Sequence, residues 1–275
     1  MKSIDLIKNL STAPGVSGFE DAVLDRARSY IQKSCKIEED RMRNLFIRKG
    51  RTRKNIPRVM LDAHSDEVGF MVQSVNSNGT LKFLPLGGWN AQAIGAHAVS
   101  IKTADGNWIR GVVASKPMHF LSPEEQKKPA AISGMVIDVG ARSKKEVTDQ
   151  FKIRIGAPVV PEVTFSYDKA NDLMIGKAFD DRLGCAALLA VMKNLIIKDL
   201  DVDVTGVLST QEELGLRGVK VAVSKAEPDI AIALEGTPAD DTFNSADFIQ
   251  AGIKKGPQIR HMDRSVLCNP RFVTF

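Results

Sequence analysis

Cysteine is scarce in this chain of 275 residues: there are three, widely separated, and they form no CxxC pair. An odd and dispersed set argues against a disulfide framework and against a thiolate zinc site. Long hydrophobic runs are also missing, since no stretch approaches the roughly 20 apolar residues of a membrane span. The first residues, MKSIDLIKNLSTAPG, lack the apolar core of a signal peptide. We therefore expect a cytoplasmic protein with no membrane partner.

The chain has no excess of acidic residues, and its formal net charge is +5. A basic protein raises the question of a nucleic-acid partner. The densest basic stretch is residues 41–58, RMRNLFIRKGRTRKNIPR, in which Phe46 is the one aromatic residue. No nucleic-acid recognition motif accompanies it. We interpret the stretch as a solvated hairpin or loop and expect no nucleic-acid partner.

Hydrophobic periodicity predicts an α/β protein. Residues 4–33 have helical apolar spacing that is broken by the turn APGVSG, and residues 57–63 read as a buried strand. After residue 174, continuous apolar strands alternate with helices, as in DVDVTGVLST, RGVKVAVSKA and PDIAIALEG. This rhythm predicts a mostly parallel sheet flanked by helices.

The middle of the chain has a different character. Between residues 69 and 165, short strand-like runs alternate with turn signals such as NSNGT and TADGN, and the best helical pattern is a short one around residues 143–149. We predict a catalytic α/β domain formed by residues 1–68 and 166–275. An inserted β-rich domain of residues 69–165 divides it.

Polar side chains able to bind metals follow three predicted strands. In open α/β sheets, ligands bind beyond the carboxyl ends of the strands, so these side chains are expected at one edge. An acidic pair that opens a predicted helix, where carboxylates suit the positive helix end, is a further candidate. The candidates are His64 and Asp66, then Glu212 and Glu213, then Glu235, and finally Asp180 and Asp181.

Each candidate alone has an ordinary interpretation, such as a hydrogen-bonding pair or a helix cap. Their convergence at one edge is what favours a site. One histidine with several carboxylates suits zinc, cobalt or manganese. Because crowded carboxylates repel one another, two cations are expected, and a pair of metal ions can activate water and polarise a carbonyl.

The adjacent glutamates suggest a division of roles. In an extended segment, successive side chains face opposite ways. We therefore expect Glu213 to bind a metal ion while Glu212 faces the substrate and accepts a proton from the activated water. A general base has to lie beside the nucleophile without being used as a ligand.

Five ordered motifs resemble those of the M42 metallo-aminopeptidases, a family that includes the TET peptidases, glutamyl aminopeptidases and proteins labelled cellulase M. The motifs are AHSDEVGF, KAFDDRLG, STQEELGLRGV, IALEGTPADD and HMDRSVLCNP. The resemblance implies an aminopeptidase acting on peptides with a free N-terminus. It also implies that residues 69–165 are a dimerisation domain, through which dimers build larger shells, often dodecamers.

The same resemblance implies roles for individual residues. His64 and Glu235 bind one metal ion, Asp180 bridges both ions, and Glu213 binds the second. Glu212 is the general base, and Asp66 orients His64.

The chain departs from the family pattern in two places. Many relatives have aspartate where this chain has Glu235, which is one methylene longer. Family members also continue past CNPRFVTF and supply a last histidine ligand there. We expect the second metal site to be incomplete in this chain, and metal to bind tightly at the first site alone.

Two other functions remain open at this stage. A glycosidase needs two carboxyl groups that face one scissile bond, roughly 5–10 Å apart. Glutamates that diverge along an extended segment do not fit that arrangement, and His64 would have no role in it. A metal-binding assembly protein with impaired catalysis is the second alternative, favoured by the expected loss of one ligand.

Overall fold

The computed structural model describes residues 2–31, 35–48, 55–128, 130–195 and 197–274. Within them, six α-helices occur: α1 (Ser3–Ser11), α2 (Asp21–Ile31), α3 (Pro123–Gln126), α4 (Phe179–Leu195), α5 (Arg217–Ala226) and α6 (Pro270–Val273). The helices predicted near the N-terminus and after residue 174 are therefore present. The short helical pattern around residues 143–149 forms a π-helical turn, Glu146–Gln150.

A five-stranded sheet carries the α/β part of the fold. Its order is β1-β2-β12-β3-β13, and β3 pairs in parallel with both β12 and β13. The strands are β1 (Lys36–Glu39), β2 (Leu45–Arg48), β3 (Arg58–His64), β12 (Asp203–Ser209) and β13 (Ile230–Ala233).

The sheet is mixed because β1 and β2 form an antiparallel hairpin, and β2 pairs antiparallel with β12. Part of the basic stretch at residues 41–58 forms this hairpin, as predicted, although Leu45, Phe46 and Ile47 are fully buried rather than solvated. Residues 49–54 of the stretch lie outside the described residues.

Alternating side chains of the sheet supply two separate cores. On one face, Leu61 and Leu208 belong to a cluster with residues of α1, α2 and α4. On the other face, Phe46, Met60 and Val207 pack against Ala222 of α5. Because period-two alternation sends neighbouring residues to opposite faces, a strand covered on both faces reads as a continuous apolar run.

The remaining strands of the middle region close into a barrel of order β4-β5-β8-β7-β6-β9. Its strands are β4 (Gly69–Val75), β5 (Leu81–Leu86), β6 (Ala98–Lys102), β7 (Trp108–Ala114), β8 (Val136–Asp138) and β9 (Pro158–Pro161). In its core, Phe70 packs edge-to-face against Phe83 and stacks on Trp89, with ring centroids 4.8 and 4.7 Å apart. A small hairpin follows, formed by β10 (Ser166–Asp168) and β11 (Leu173–Ile175).

The chain forms two compact units, Met1–Glu235 and Gly236–Phe275. The sheet and the barrel both belong to the first unit, and the predicted boundaries of an inserted domain at residues 69–165 stay a prediction. The second unit contains a helical turn at Ala246–Phe248, a bridge between Met262 and Leu267, and α6. None of the helices among the described residues has the length and apolar character needed to cross a membrane.

Close packing of α4 on β12 requires a glycine. A Cβ atom on Gly206 would lie 2.8 Å from Cγ of Met192 and 2.9 Å from Cδ2 of Leu188. We expect Gly206→Ala to lower the free energy of unfolding by about 1–3 kcal/mol, because overpacking forces the helix and strand apart. Urea unfolding measures the change. Gly134→Ala is the matched control, because a Cβ there meets no heavy atom within 4 Å. Equal free energies of unfolding of the two variants would show that Gly206 is not needed for the packing of α4 on β12.

Candidate metal centre

The strand register brings the candidate residues to one edge of the sheet. β3 ends at His64, which lies opposite Ser209, the last residue of β12. On the other side, Asp62 lies opposite Ala233 of β13. In parallel strands, the segments that follow these residues leave the sheet at the same edge. Glu212, Glu213 and Glu235 therefore come close to His64.

The imidazole of His64 is the centre of this cluster. Its Nε2 atom lies 3.0 Å from Oδ1 of Asp180, 3.7 Å from Oε2 of Glu235 and 3.8 Å from Oε2 of Glu212. The His64 side chain is only 2% exposed, whereas that of Asp180 is 57% exposed. The cluster is thus closed on the side of the sheet and open to solvent on the side of Asp180.

Two overlapping groups of side chains have metal-ligand spacing. The ligand atoms of His64, Asp181 and Glu235 lie within 4.8 Å of one another, and so do those of His64, Glu212 and Glu213. Both groups include the imidazole of His64. The number and identity of the ions stay a prediction.

The acidic pair in the first turn of α4 brings both carboxylates to the cluster. Asp180 and Asp181 have non-helical backbone angles. Asp181 is buried and accepts hydrogen bonds from the backbone N–H groups of His64, at 3.1 Å, and Gly184, at 3.0 Å. The bond from Gly184 fixes Asp181 within the first turn of α4, and its carboxylate also belongs to the cluster. The bridging role assigned to Asp180 stays a prediction.

The expectation that Glu212 and Glu213 face opposite ways in an extended segment is wrong. β12 ends at Ser209, and Gln211 has a left-handed φ of 52°. The two glutamates lie in the turn that follows, and both carboxylates come within 4.8 Å of the His64 ligand atom. A left-handed residue breaks the alternation of an extended chain, so adjacent side chains can point to the same site.

Asp66 binds this turn directly. Its Oδ1 atom accepts the N–H of Glu212 at 3.0 Å, and its Oδ2 atom accepts the N–H of Glu213 at 3.2 Å and the Ser17 hydroxyl at 2.6 Å. Oδ1 also lies 3.3 Å from Nδ1 of His64, without good hydrogen-bond geometry. The orienting role expected for Asp66 stays a prediction. The binding of the Glu212–Glu213 turn is a second role that the sequence did not indicate.

Charge dominates the chemistry of the cluster. Burial lowers the pKa of His64, but its interactions with Asp180 and Asp66 and the charge of Asp181 outweigh burial and raise that pKa to about 11. The neighbouring carboxylates thus stabilise the protonated form of the imidazole.

The pKa values of several carboxyl groups are raised as well, which disfavours their charged form. Burial, with the nearby charges of Glu235 and Asp180, raises the pKa of Asp181 to about 8 despite the favourable charge of His64. Burial and repulsion from Asp180 and Asp66 raise the pKa of Glu213 to about 7. For Glu212, burial raises the pKa above its usual range. Cations would relieve this repulsion, and one imidazole with several carboxylates is a donor set suited to zinc, cobalt or manganese. The residues present therefore fit a metal centre.

Several buried residues around the cluster were not predicted from the sequence. Asp62 lies beneath it and accepts a hydrogen bond from the Ser209 hydroxyl at 3.1 Å, and burial raises its pKa to about 7. Ser17 and Glu20 reach the site from the loop between α1 and α2. A polar residue inside the apolar run VMLDA was a signal for Asp62, whereas Ser17 and Glu20 resemble ordinary turn residues.

A cavity of about 320 Å³ adjoins the cluster. Asp180 and Glu213 line one part of it, and the Lys177–Glu67 ion pair lines another. The Nζ atom of Lys177 lies 2.5 and 2.7 Å from the two carboxylate oxygens of Glu67. The remaining lining residues are Val68, Gly88, Pro161, Ala178 and Phe179. The cavity thus offers space for a substrate group directly beside the candidate ligands.

A histidine and several carboxylates at the carboxyl edge of an α/β sheet, beside a cavity, form the kind of site that metal-dependent hydrolases use. Comparison with known proteins agrees with this class. The sequence profile described as M42 glutamyl aminopeptidase matches residues 43–275. The chain belongs to this family and is an aminopeptidase, a hydrolase of peptide bonds.

Individual relatives show how far the likeness extends. The chain is 32% identical to the glutamyl aminopeptidase of Lactococcus lactis subsp. cremoris (strain MG1363), over all of this chain and 77% of that protein. It is 33% identical to the TET aminopeptidase from the marine sediment archaeon Thaumarchaeota archaeon SCGC AB-539-E09, with a TM-score of 0.92 over 99% of this chain and 76% of that one. The TET1 peptidase of Pyrococcus horikoshii, which can assemble into a tetrahedron or a large octahedral shell, is 28% identical, with a TM-score of 0.76 over 85% of this chain and 68% of that one. These structures confirm the predicted fold class.

Metal ions should stabilise the folded chain. A ligand present at 100 times its Kd adds about 2.7 kcal/mol to the free energy of unfolding. We expect zinc or cobalt to raise the melting temperature of chelator-treated protein, and more so at pH 8 than at pH 6, because ligation requires neutral His64 and ionised carboxylates. Differential scanning calorimetry measures this rise.

His64→Ala should abolish most of the rise, and His119→Ala, which removes an exposed histidine of the region 115–128, should keep it. An equal response of both variants would show that the metal binds elsewhere.

Proposed function

We propose that this chain is a metal-dependent aminopeptidase that removes N-terminal residues from peptides, with Glu212 as the general base. The observation that carries the proposal is that the carboxylates of Glu212 and Glu213 lie within metal-ligand distance of His64. Asp180 and Glu213 also line the adjoining cavity. His64, Asp180, Glu213 and Glu235 would hold two divalent cations, which we propose to be zinc, cobalt or manganese. Bound cations of this kind activate water and polarise the scissile carbonyl.

The residues of the chain have separate tasks in this proposal. Glu212 accepts the proton of the attacking water and delivers it to the leaving amine, a transfer that suits a carboxyl whose pKa burial has raised toward neutrality. Asp66 holds the backbone of Glu212 and Glu213 and keeps His64 in place. The carboxylates around His64 give the site a negative field that attracts the free α-amino group of a peptide. The cavity would receive the first side chain.

The substrate class can be tested with small substrates. Chromogenic aminoacyl anilides should be hydrolysed, and the same anilides with an acetylated amino group should not be, because the α-amino group is then uncharged. A chelator should stop the reaction. Hydrolysis of carboxymethylcellulose instead would favour a glycosidase, and metal binding without hydrolysis of any anilide would favour an impaired assembly protein.

Glu212 has a sharper test. We expect Glu212→Gln to abolish hydrolysis, by a factor on the order of 10²–10⁴ as for loss of a general base, while the metal content stays near that of the wild type. Elemental analysis beside the anilide assay measures both quantities. Glu124→Gln, an exposed glutamate on α3, is the control. Loss of metal together with activity would mean that Glu212 is a ligand and Glu213 the base.

We also propose that the chain self-associates through the barrel region, residues 69–165. The TET1 peptidase of Pyrococcus horikoshii can assemble into shells. In this chain the region exposes apolar side chains, of which Met118 is 67% and Phe120 is 72% exposed. Exposed apolar patches on a globular protein mark interaction surfaces. The proposed assembly is a dimer or a multiple of dimers, up to a dodecamer.

Sedimentation velocity at micromolar concentration should show a dimer or a larger species. The double change Met118→Ser with Phe120→Ser should shift the distribution toward smaller species. Ile197→Ser removes an exposed apolar side chain outside the barrel region and serves as the control. A wild-type chain that stays monomeric at high concentration would overturn this proposal.

A further inference from the structure

The loop between α1 and α2 is docked against the segment that follows β3. Gly15 and Glu67 bind each other twice: the Gly15 N–H donates to the Glu67 carboxylate at 3.0 Å, and the Glu67 N–H donates to the Gly15 carbonyl at 2.9 Å. The fully buried guanidinium of Arg182 donates to the carbonyls of Leu10, Ala13 and Gly15, at 2.7, 3.0 and 3.2 Å. Residues 10–15 are thus fixed to the start of α4 and to the edge of the sheet.

Two side chains of this loop reach the turn that carries Glu212. The Ser17 hydroxyl donates to Asp66 at 2.6 Å. One carboxyl oxygen of Glu20, Oε1, accepts the N–H of Gly18 at 2.7 Å and the N–H of Gln211 at 3.1 Å. Both side chains belong to residues that are 3% exposed. A carboxyl buried to this degree is costly unless it is hydrogen-bonded, so these contacts account for its position.

Together, two carboxyl groups bind three consecutive N–H groups. Glu20 accepts that of Gln211, and Asp66 accepts those of Glu212 and Glu213. Gln211 is the residue whose left-handed backbone breaks the extended chain after β12. A residue in this conformation persists where its surroundings hold it there. The Glu20 contact is therefore placed at the bend that directs the next side chain into the site.

We propose that Glu20, supported by Ser17, is a positioning residue that sets the place of the general base Glu212 by holding the backbone bend at Gln211. The proposal rests on the proposed function of Glu212. Glu20 acts through the backbone, because its carboxyl oxygen accepts the N–H groups of Gly18 and Gln211. The loop between α1 and α2 is then part of the catalytic apparatus, although it supplies no group to the reaction.

An amide oxygen can replace the carboxyl oxygen in this role. A single oxygen of Glu20 accepts both backbone hydrogen bonds, so the charge is not needed for the contact. Burial raises the pKa of Glu20 to about 7, which means that the uncharged form is easily populated. This distinguishes a positioning role from an electrostatic one, because a charge-dependent role would be lost in Glu20→Gln.

The experiment compares Glu20→Ala, Glu20→Gln and Asp21→Ala. Asp21 is the matched control, since it is the neighbouring carboxylate, half-exposed and paired with Arg43 on the surface. We expect Glu20→Ala to lower kcat by roughly 10- to 100-fold, the usual cost of a misplaced catalytic group. KM and metal content should stay near the wild-type values. Glu20→Gln should recover most of kcat, and Asp21→Ala should match the wild type.

Hydrogen–deuterium exchange of the metal-free variants gives a readout that does not depend on activity. In Glu20→Ala, exchange should become faster in residues 210–214 and stay unchanged in α4. Faster exchange throughout the chain would overturn the positioning role, and so would unchanged exchange together with unchanged kcat. Equal losses of kcat in Glu20→Ala and Glu20→Gln would overturn it as well. A wild type without peptidase activity would overturn the proposed function instead, and the exchange comparison would then decide by itself whether Glu20 holds the bend.

Discussion

The carboxylate of Asp66 is the contact on which the geometry of the site depends. It is completely buried. It accepts hydrogen bonds from two backbone N–H groups of the turn after β12 and from one hydroxyl of the loop between α1 and α2. The His64 ring lies beside it. Three segments that are far apart in sequence therefore meet at one side chain. Because a buried carboxylate needs several partners to offset its desolvation, these segments are held together by the same requirement.

The electrostatic organisation follows from this arrangement. With Asp66 and Asp181 buried beside His64, the more exposed carboxylates of Asp180, Glu212 and Glu235 lie around its imidazole on the solvent side. Clusters of titratable groups with strongly shifted pKa values are typical of catalytic sites. The fit of the donor set to divalent cations and the raised pKa values of Asp181 and Glu213 have the same origin, namely negative charges at short range with few positive partners.

Much of the fold was predictable because it depends on local pattern. The strands β3, β12 and β13 read as apolar runs, and α4 and α5 were predicted as helices between them. The edge that gathers His64, Glu212, Glu213 and Glu235 could therefore be placed by the general rule for open α/β sheets. The conformation of the two glutamates was not predictable in the same way. Alternation describes a strand, but the strand ends at Ser209, and the left-handed Gln211 is stabilised by partners that local sequence does not indicate.

Ser17 and Glu20 illustrate the same limit. They lie in a turn rich in glycine, where serine and an acidic residue are ordinary, and their contacts with Asp66 and Gln211 span sequence separations of 49 and 191 positions. Nothing in the spacing of nearby residues reports such a contact. The tight packing at Gly206 depends in the same way on where α4 crosses β12.

The parallel register of β3, β12 and β13 has a consequence for how the protein comes to hold its metal. His64 leaves the ribosome long before Glu235 has been added to the chain, and the two share a site only after β13 has paired with β3. An unfolded chain therefore offers single donors rather than a preformed site. The cation would be selected by the finished protein from the ions available around it, and not by the growing chain.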